Sequence, residues 1–110
     1  MNYQHKELAA GRWGKMSFLE QMANIGSEIE RAINWRAKKN SAYCVLAVER
    51  ALELLDLTTE GIKNFNHLKE LIRLREAIVD YFFGENQFIS SDALWRKYFF
   101  HFTCAARKNW

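Results

Sequence analysis

The chain contains no proline. At average usage a chain of this length carries about five. Proline removes an amide donor and breaks helix interiors, so its absence takes away the strongest helix breaker and fits a mostly helical chain. Cysteine is nearly absent too, with only Cys44 and Cys104. That excludes a disulfide framework, and no close Cys or His pairs exist to hold zinc. Both thiols fall inside expected helices and read as small core residues in a reducing, cytoplasmic setting, with nothing nearby to activate either as a nucleophile. The five glycines are scattered, so no Gly-rich loop cradles a phosphate. No run approaches the ~18 apolar residues that span a bilayer. The polar segment from Met1 to Gly14 carries no secretory h-region.

What is present is apolar and aromatic. Hydrophobic residues make up 49% of the 110 residues and charged ones 26%, which excludes a disordered chain and fits one domain over 1–110. Aromatics reach 15%, with eight Phe, four Tyr and four Trp. The net charge is a mild +3, and residues 41–60 are locally acidic through Glu49, Glu53, Asp56 and Glu60 against Arg50 alone. Such a distribution resembles charge complementarity inside a bundle and argues against a nucleic-acid footprint.

The periodicity predicts four helices after a short N-terminal segment, 1–16, which holds a first helix ending near Gly11 and a loop from which Trp13 and Met16 tuck against the rest. The first long helix spans about 17–39. Ser17 and Glu20 form a capping box at its start, and Phe18, Met22, Ile25, Ile29, Ala32 and Ile33 make one stripe. The second spans about 41–57 with Cys44, Val45, Val48, Ala51, Leu52 and Leu55 on its face, followed by a turn region, 58–65. The third spans about 66–83 with Leu68, Leu71, Ile72, Ile78, Val79 and Phe82, and Gly84 reads as a left-handed C-cap residue. The fourth spans about 91–108, begins on a Ser cap and carries Trp95, Tyr98, Phe99, Phe102, Ala105 and Ala106. Four such helices with short loops predict an all-α, antiparallel up-down four-helix bundle.

Some residues do not fit a plain bundle. Arg75 falls in the middle of the third helix's stripe, where a guanidinium needs a partner. Glu49 and Asp56 are offered as partners for a buried bridge. The alternatives are a ligand-facing arginine in a cleft between helices and a side chain that snorkels to water. Arg36 sits on the first helix's stripe but in its last turn, within reach of solvent. Phe100 points roughly 140° from the centre of its own stripe. The triplets Tyr81-Phe82-Phe83 and Tyr98-Phe99-Phe100 wrap most of a helix's circumference, so one core does not bury them all. Trp35, Tyr81, Phe83 and Phe100 are therefore candidates for a partner surface, for a second copy or another protein.

Reaction chemistry is sparse. The Glu-x-x-His pairs of a bundle di-metal site are missing, because Asn64 and Tyr98 precede His67 and His101 by three. No Gly-x-Ser-x-Gly elbow occurs. No residue set calls for a metal or a cofactor. The one spacing of interest is Arg96 with His101. It resembles the Arg-x4-His motif of HEPN-domain ribonucleases, small four-helix bundles of toxin and RNA-processing systems. The resemblance implies that Arg96 and His101 bind phosphate and promote cleavage at a dimer interface. Lys97 stands where that motif usually has a polar Asn. On a regular helix Arg96 and His101 diverge by about 140°.

A broader resemblance covers about residues 12–108. The runs Glu20-Gln21-Met22-Ala23-Asn24-Ile25-Gly26-Ser27-Glu28-Ile29-Glu30-Arg31-Ala32 and Glu49-Arg50-Ala51-Leu52-Glu53-Leu54-Leu55-Asp56-Leu57-Thr58 look like the signature of a group of small prokaryotic proteins. Leu74-Arg75-Glu76 and Asp80-Tyr81-Phe82-Phe83-Gly84 do as well. This resemblance implies a helical-bundle fold and no particular activity. Within it, Gly26 costs about 1 kcal/mol against Ala in mid-helix, which points to close helix approach or a local opening. Glu28, Arg31, Glu49, Asp56 and Arg75 are candidates for a polar pocket or buried ion pair. The best reading of the whole is a non-enzymatic interaction module. A HEPN-like RNA-processing or nucleotidyltransferase-accessory protein and a binder of small ligands are the alternatives.

Overall fold

The computed structural model describes residues 11–108. Four helices dominate: α1 (Phe18–Ala37), α2 (Ser41–Gly61), α3 (Phe65–Phe83) and α4 (Asp92–Arg107). A short 3-10 turn, Trp13–Lys15, precedes them, and no strand occurs among the described residues. The helix expected to end near Gly11 lies outside the described residues.

Each helix start has a local cause. Ser17 accepts the Glu20 amide at 3.1 Å and donates its hydroxyl to the Glu20 carboxylate, a variant of the expected capping box. Asn40 caps α2 through the Tyr43 amide, Asn64 caps α3 through two amides, and Ser91 caps α4 through Leu94. Lys39, in the left-handed region at φ 61°, turns the chain between α1 and α2. Gly84 does not adopt the left-handed conformation expected of it; its φ is −107°. A Cβ there would meet the Asp80 carbonyl at 3.0 Å, so a tight approach is what that glycine serves.

The α2 helix runs four residues past its expected end. Thr58 and Thr59 return their hydroxyls to the carbonyls of Leu54 and Leu55, which lets them stay helical. Thr58 is buried because the Trp13 indole N–H donates to its hydroxyl at 3.0 Å. Gln21 in turn donates to the Trp13 carbonyl at 2.9 Å. Trp13 is thereby stapled across the α1–α2 seam, as its place in the sequence predicted.

The helix α1 packs against both α2 and α4, while α3 packs chiefly against α2. The core draws Met22, Ile25, Ile29 and Ile33 from α1, Val48, Ala51 and Leu55 from α2, Leu71 and Ile78 from α3, and Phe99 from α4. Each large aliphatic side chain so buried stabilises the fold by roughly 1.5–3 kcal/mol.

The phase of α3 differs from the periodicity reading. Only Leu71, Leu74 and Ile78 are buried, and Ile72, expected inside, is 49% exposed. The buried face is turned by roughly 60° from the expected stripe. The cause is that α3 is flanked by α2 on one side and by the aromatic side chains of α4 on the other, and the core settles between them. Arg75 moves with this rotation from mid-stripe to the margin.

Gly26 explains the closeness of α1 and α4. A Cβ at this position would lie 2.6 Å from Phe99 Cβ and 2.8 Å from its Cγ. Those atoms sit next to the α4 backbone and do not swing away. Replacing Gly26 by Ala gains about 1 kcal/mol of helix propensity but overpacks the contact at a cost of about 1–3 kcal/mol. Gly26→Ala is expected to lower the denaturant midpoint at unchanged m-value, and a midpoint that rises would show that the two helices are free to part.

Candidate functional site

Although α3 and α4 are consecutive, their backbones approach each other much less closely than α1 approaches its neighbours. Side chains bridge the gap. Tyr98 donates to Glu70 Oε2 at 2.9 Å, and the Tyr81 hydroxyl donates to Asp92. On either side of the Tyr98–Glu70 bridge the gap opens into a groove. One, of about 770 Å³, is lined by Leu74, Ala77, Phe88, Trp95 and Tyr98 beneath a rim of Lys69 and Arg73. The other, of about 810 Å³, is lined by Phe18, His67, Leu94, His101 and Phe102. Phe18 and His67 stack face to face there, with ring centroids 4.2 Å apart. The Trp95 indole nitrogen is buried and has no hydrogen-bond partner among the described residues. An unsatisfied buried donor costs about 1–3 kcal/mol.

One end of this region is clamped. Arg36, in the last turn of α1, meets Asp92 in the first turn of α4 at 3.0 Å. Its guanidinium lies over the rings of Tyr81 and Phe82, 4.5 and 4.8 Å from their centroids. Arg36 therefore joins three helices. The expected reach toward water is only part of its role.

The loop that follows α3 is tightly tied. The Asp80 carboxylate accepts the amides of Gln87 and Phe88, and Asn86 exchanges two hydrogen bonds with Ser90. Within it Ile89 has φ 55° and is 80% exposed. A β-branched residue rarely adopts this backbone, and the conformation costs on the order of 1–3 kcal/mol. The loop thus holds Phe88 and Ile89, both large and apolar, out toward water.

The residues singled out from sequence scatter over the molecule. Arg75 does pair with Asp56, at 2.9 Å, but its side chain is 46% exposed, so the bridge is a surface one and no buried pocket forms around it. Glu28 pairs instead with Arg31 on its own helix at 3.4 Å, and Glu49 is exposed. The five candidates for one polar pocket form two separate pairs and a lone carboxylate. Glu28 Oε2 is buried without a hydrogen-bond partner among the described residues. Arg96 reaches α1, where both oxygens of Glu30 and the Asn34 amide oxygen accept its N–H groups. His101 lines the groove on the α3 side. Arg96 and His101 therefore face different clefts of α4.

Of the aromatic candidates, Trp35 packs edge-on against Tyr43 beneath Lys38, and Tyr81 is engaged by Arg36 and Asp92. Phe83 and Phe100 are exposed, as expected from the triplets. Leu54, which the expected α2 face did not include, is buried. The periodicity did not single out Phe65, Phe88, Ile89 and Leu94, and it placed Ile72 inside; all five are exposed. For Phe88 and Ile89 a signal existed: two large apolar residues inside a loop rich in Gly, Asn and Ser.

Burial pushes the Cys44 thiol up, with Arg36 opposing and Asp92 adding, so Cys44 is kept protonated and a poor nucleophile. Among the described residues no group of His, Cys, Asp and Glu is placed to hold a metal ion, and no helix is long and apolar enough to cross a membrane.

Burial, then the charge and hydrogen bond of Glu70, raise the Tyr98 pKa well above its ordinary value. A raised folded-state pKa means that Tyr98 contributes its stability fully below the unfolded value and loses it as the pH climbs toward the folded one. Unfolding free energy is expected to fall above about pH 10, and Tyr98→Phe to make that fall shallower. An identical alkaline slope in the variant would contradict the assignment. Comparison of the chain with known families, characterised proteins and solved structures finds no match.

Proposed function

We propose that this protein is a non-enzymatic helical-bundle module that acts by binding another protein chain through α3, the loop after it and the start of α4. One observation carries the reading. Phe65, Ile72, Phe83, Phe88, Ile89 and Leu94 are exposed along these consecutive segments, and Ile89 is held out by a strained, hydrogen-bonded loop. Exposed apolar groups in such a concentration mark contact surfaces on stable proteins. Backbone strain that keeps an apolar side chain in water is selected against unless it serves a contact.

An up-down antiparallel order of the four helices is part of this proposal. Connections at 38–40 and 62–64 are short enough to force neighbouring helices to turn back on one another, while 84–91 is longer and spans the wider α3–α4 gap. The two free thiols fit a reducing, cytoplasmic setting. The similarity to small prokaryotic bundles noted in the sequence agrees with a binding role without adding an activity. The HEPN-like reading has less support, since one phosphate would have to bridge Arg96, already held by Glu30 and Asn34, and His101 in another cleft.

A photo-crosslinking residue placed in the full chain at position 72 or 88 is expected to form protein adducts in the native host. The same residue at exposed position 107 is expected to form none. No adduct at 72 and 88, or equal yield at 107, would contradict a contact surface at this place.

A further inference from the structure

Three of the large exposed side chains of α3 belong to a second, outward stripe. Phe65, Lys69, Ile72, Glu76, Val79 and Phe83 follow one another at alternating steps of four and three. That is the spacing of a coiled-coil seam, and it lies opposite the buried face of Leu71, Leu74 and Ile78. Phe65 is 69% exposed, Ile72 49% and Phe83 48%, and Lys69 and Glu76 are exposed as well. α2 and the core engage the other side of the helix, and among the described residues no element packs over this one.

The stripe has a further property. Turned end for end about position 74, the stripe can be laid along a second copy of itself. Phe65 falls opposite Phe83, Ile72 opposite Glu76, and Lys69 opposite Val79. In that register Glu76 comes within reach of a facing Lys69 and Arg73. The charges are self-complementary and the aromatic ends meet like with like, as a two-fold, isologous interface requires.

We infer that a second copy of this chain docks antiparallel along α3, stacking Phe65 on the partner's Phe83 at each end and pairing Glu76 with the partner's Lys69 on each side of the axis. This inference rests on the contact-surface reading above and names its partner. A 19-residue helix is about 28 Å long. A helix pair of that length buries less than the roughly 800 Å² per partner of a standard interface, so the dimer is reversible. The end where the partner's Phe65 meets Phe83 is also where the loop presents Phe88 and Ile89, and this extends the apolar contact.

The test is sedimentation equilibrium of the full chain between roughly 1 µM and 1 mM, the span of weak to moderate complexes. The mass is expected to rise with concentration toward twice the 13.0 kDa of the chain. Lys69→Glu and Glu76→Lys each put like charges face to face and are expected to raise the dissociation constant about tenfold or more. The double variant K69E/E76K restores opposite charges and is expected to regain wild-type behaviour. Ile72→Glu is expected to leave only monomer. All these positions are exposed, and an unchanged helical circular dichroism spectrum confirms that the variants fold. A wild-type chain that stays monomeric throughout overturns the inference. So does a dimer indifferent to all four variants, or a double variant no better than the singles. A monomer that still forms adducts from positions 72 and 88 with a different protein in the host removes only the second copy as partner. A monomer with no adducts at all removes the contact-surface reading too.

Discussion

The missing side chain at position 26 sets the geometry from which the rest follows. With only a hydrogen there, the Phe99 Cβ and Cγ press against the α1 backbone, and α4 lies closer to α1 than an alanine would allow. α1 is then covered by α4 on one side and by α2 on the other, and Met22, Ile25, Ile29 and Ile33 are buried almost completely. A central helix with two close neighbours leaves little room for a third. α3 leans on α2, buries three residues, and stands away from α4. The open groove and the bare outer face of α3 are consequences of that crowding at α1.

The polar contacts fit this arrangement. Tyr98 with Glu70 and Tyr81 with Asp92 reach across the α3–α4 gap by long side chains, which hold the two helices at a distance without closing the space between them. Arg36 closes one end by stacking on Tyr81 and Phe82 while it pairs with Asp92. Half-exposed ion pairs of this kind add little alone, about 0.2–1 kcal/mol, and stacking on a ring adds about 0.5–1 kcal/mol. Their main effect is positional. They fix where α4 starts and so where the loop before it must present Phe88 and Ile89.

Much of the fold was legible in the residues. The Ser17 and Ser91 caps and the α1 stripe are local, and local causes are read directly from spacing. Trp13 found its place as expected, though its partner Thr58 lies 45 positions away and carried no mark of it. The α2 end was missed because two threonines look like a turn until their hydroxyls return to the backbone. The phase of α3 was missed for a deeper reason. It carries apolar residues around most of its circumference, and periodicity alone does not say which of two stripes faces the core. Reading the stripe around Arg75 as buried made that arginine seem a site. In fact it is a surface pair with Asp56, and the second stripe, with Ile72 at its centre, is the informative one. The aromatic triplets anticipated the exposure of Phe83 and Phe100, because three adjacent rings wrap most of a helix and one core touches only part of it.

The central claim is that the outer face of α3 and the loop after it are covered by another chain when the protein works. Hydroxyl-radical footprinting inside living host cells, compared with the dilute purified chain, measures this side chain by side chain. The account expects Phe65, Ile72, Phe83 and Phe88 to be oxidised several-fold more slowly in the cell, with the exposed Tyr43 in the first turn of α2 unchanged. Equal rates for α3 in the two settings would contradict it.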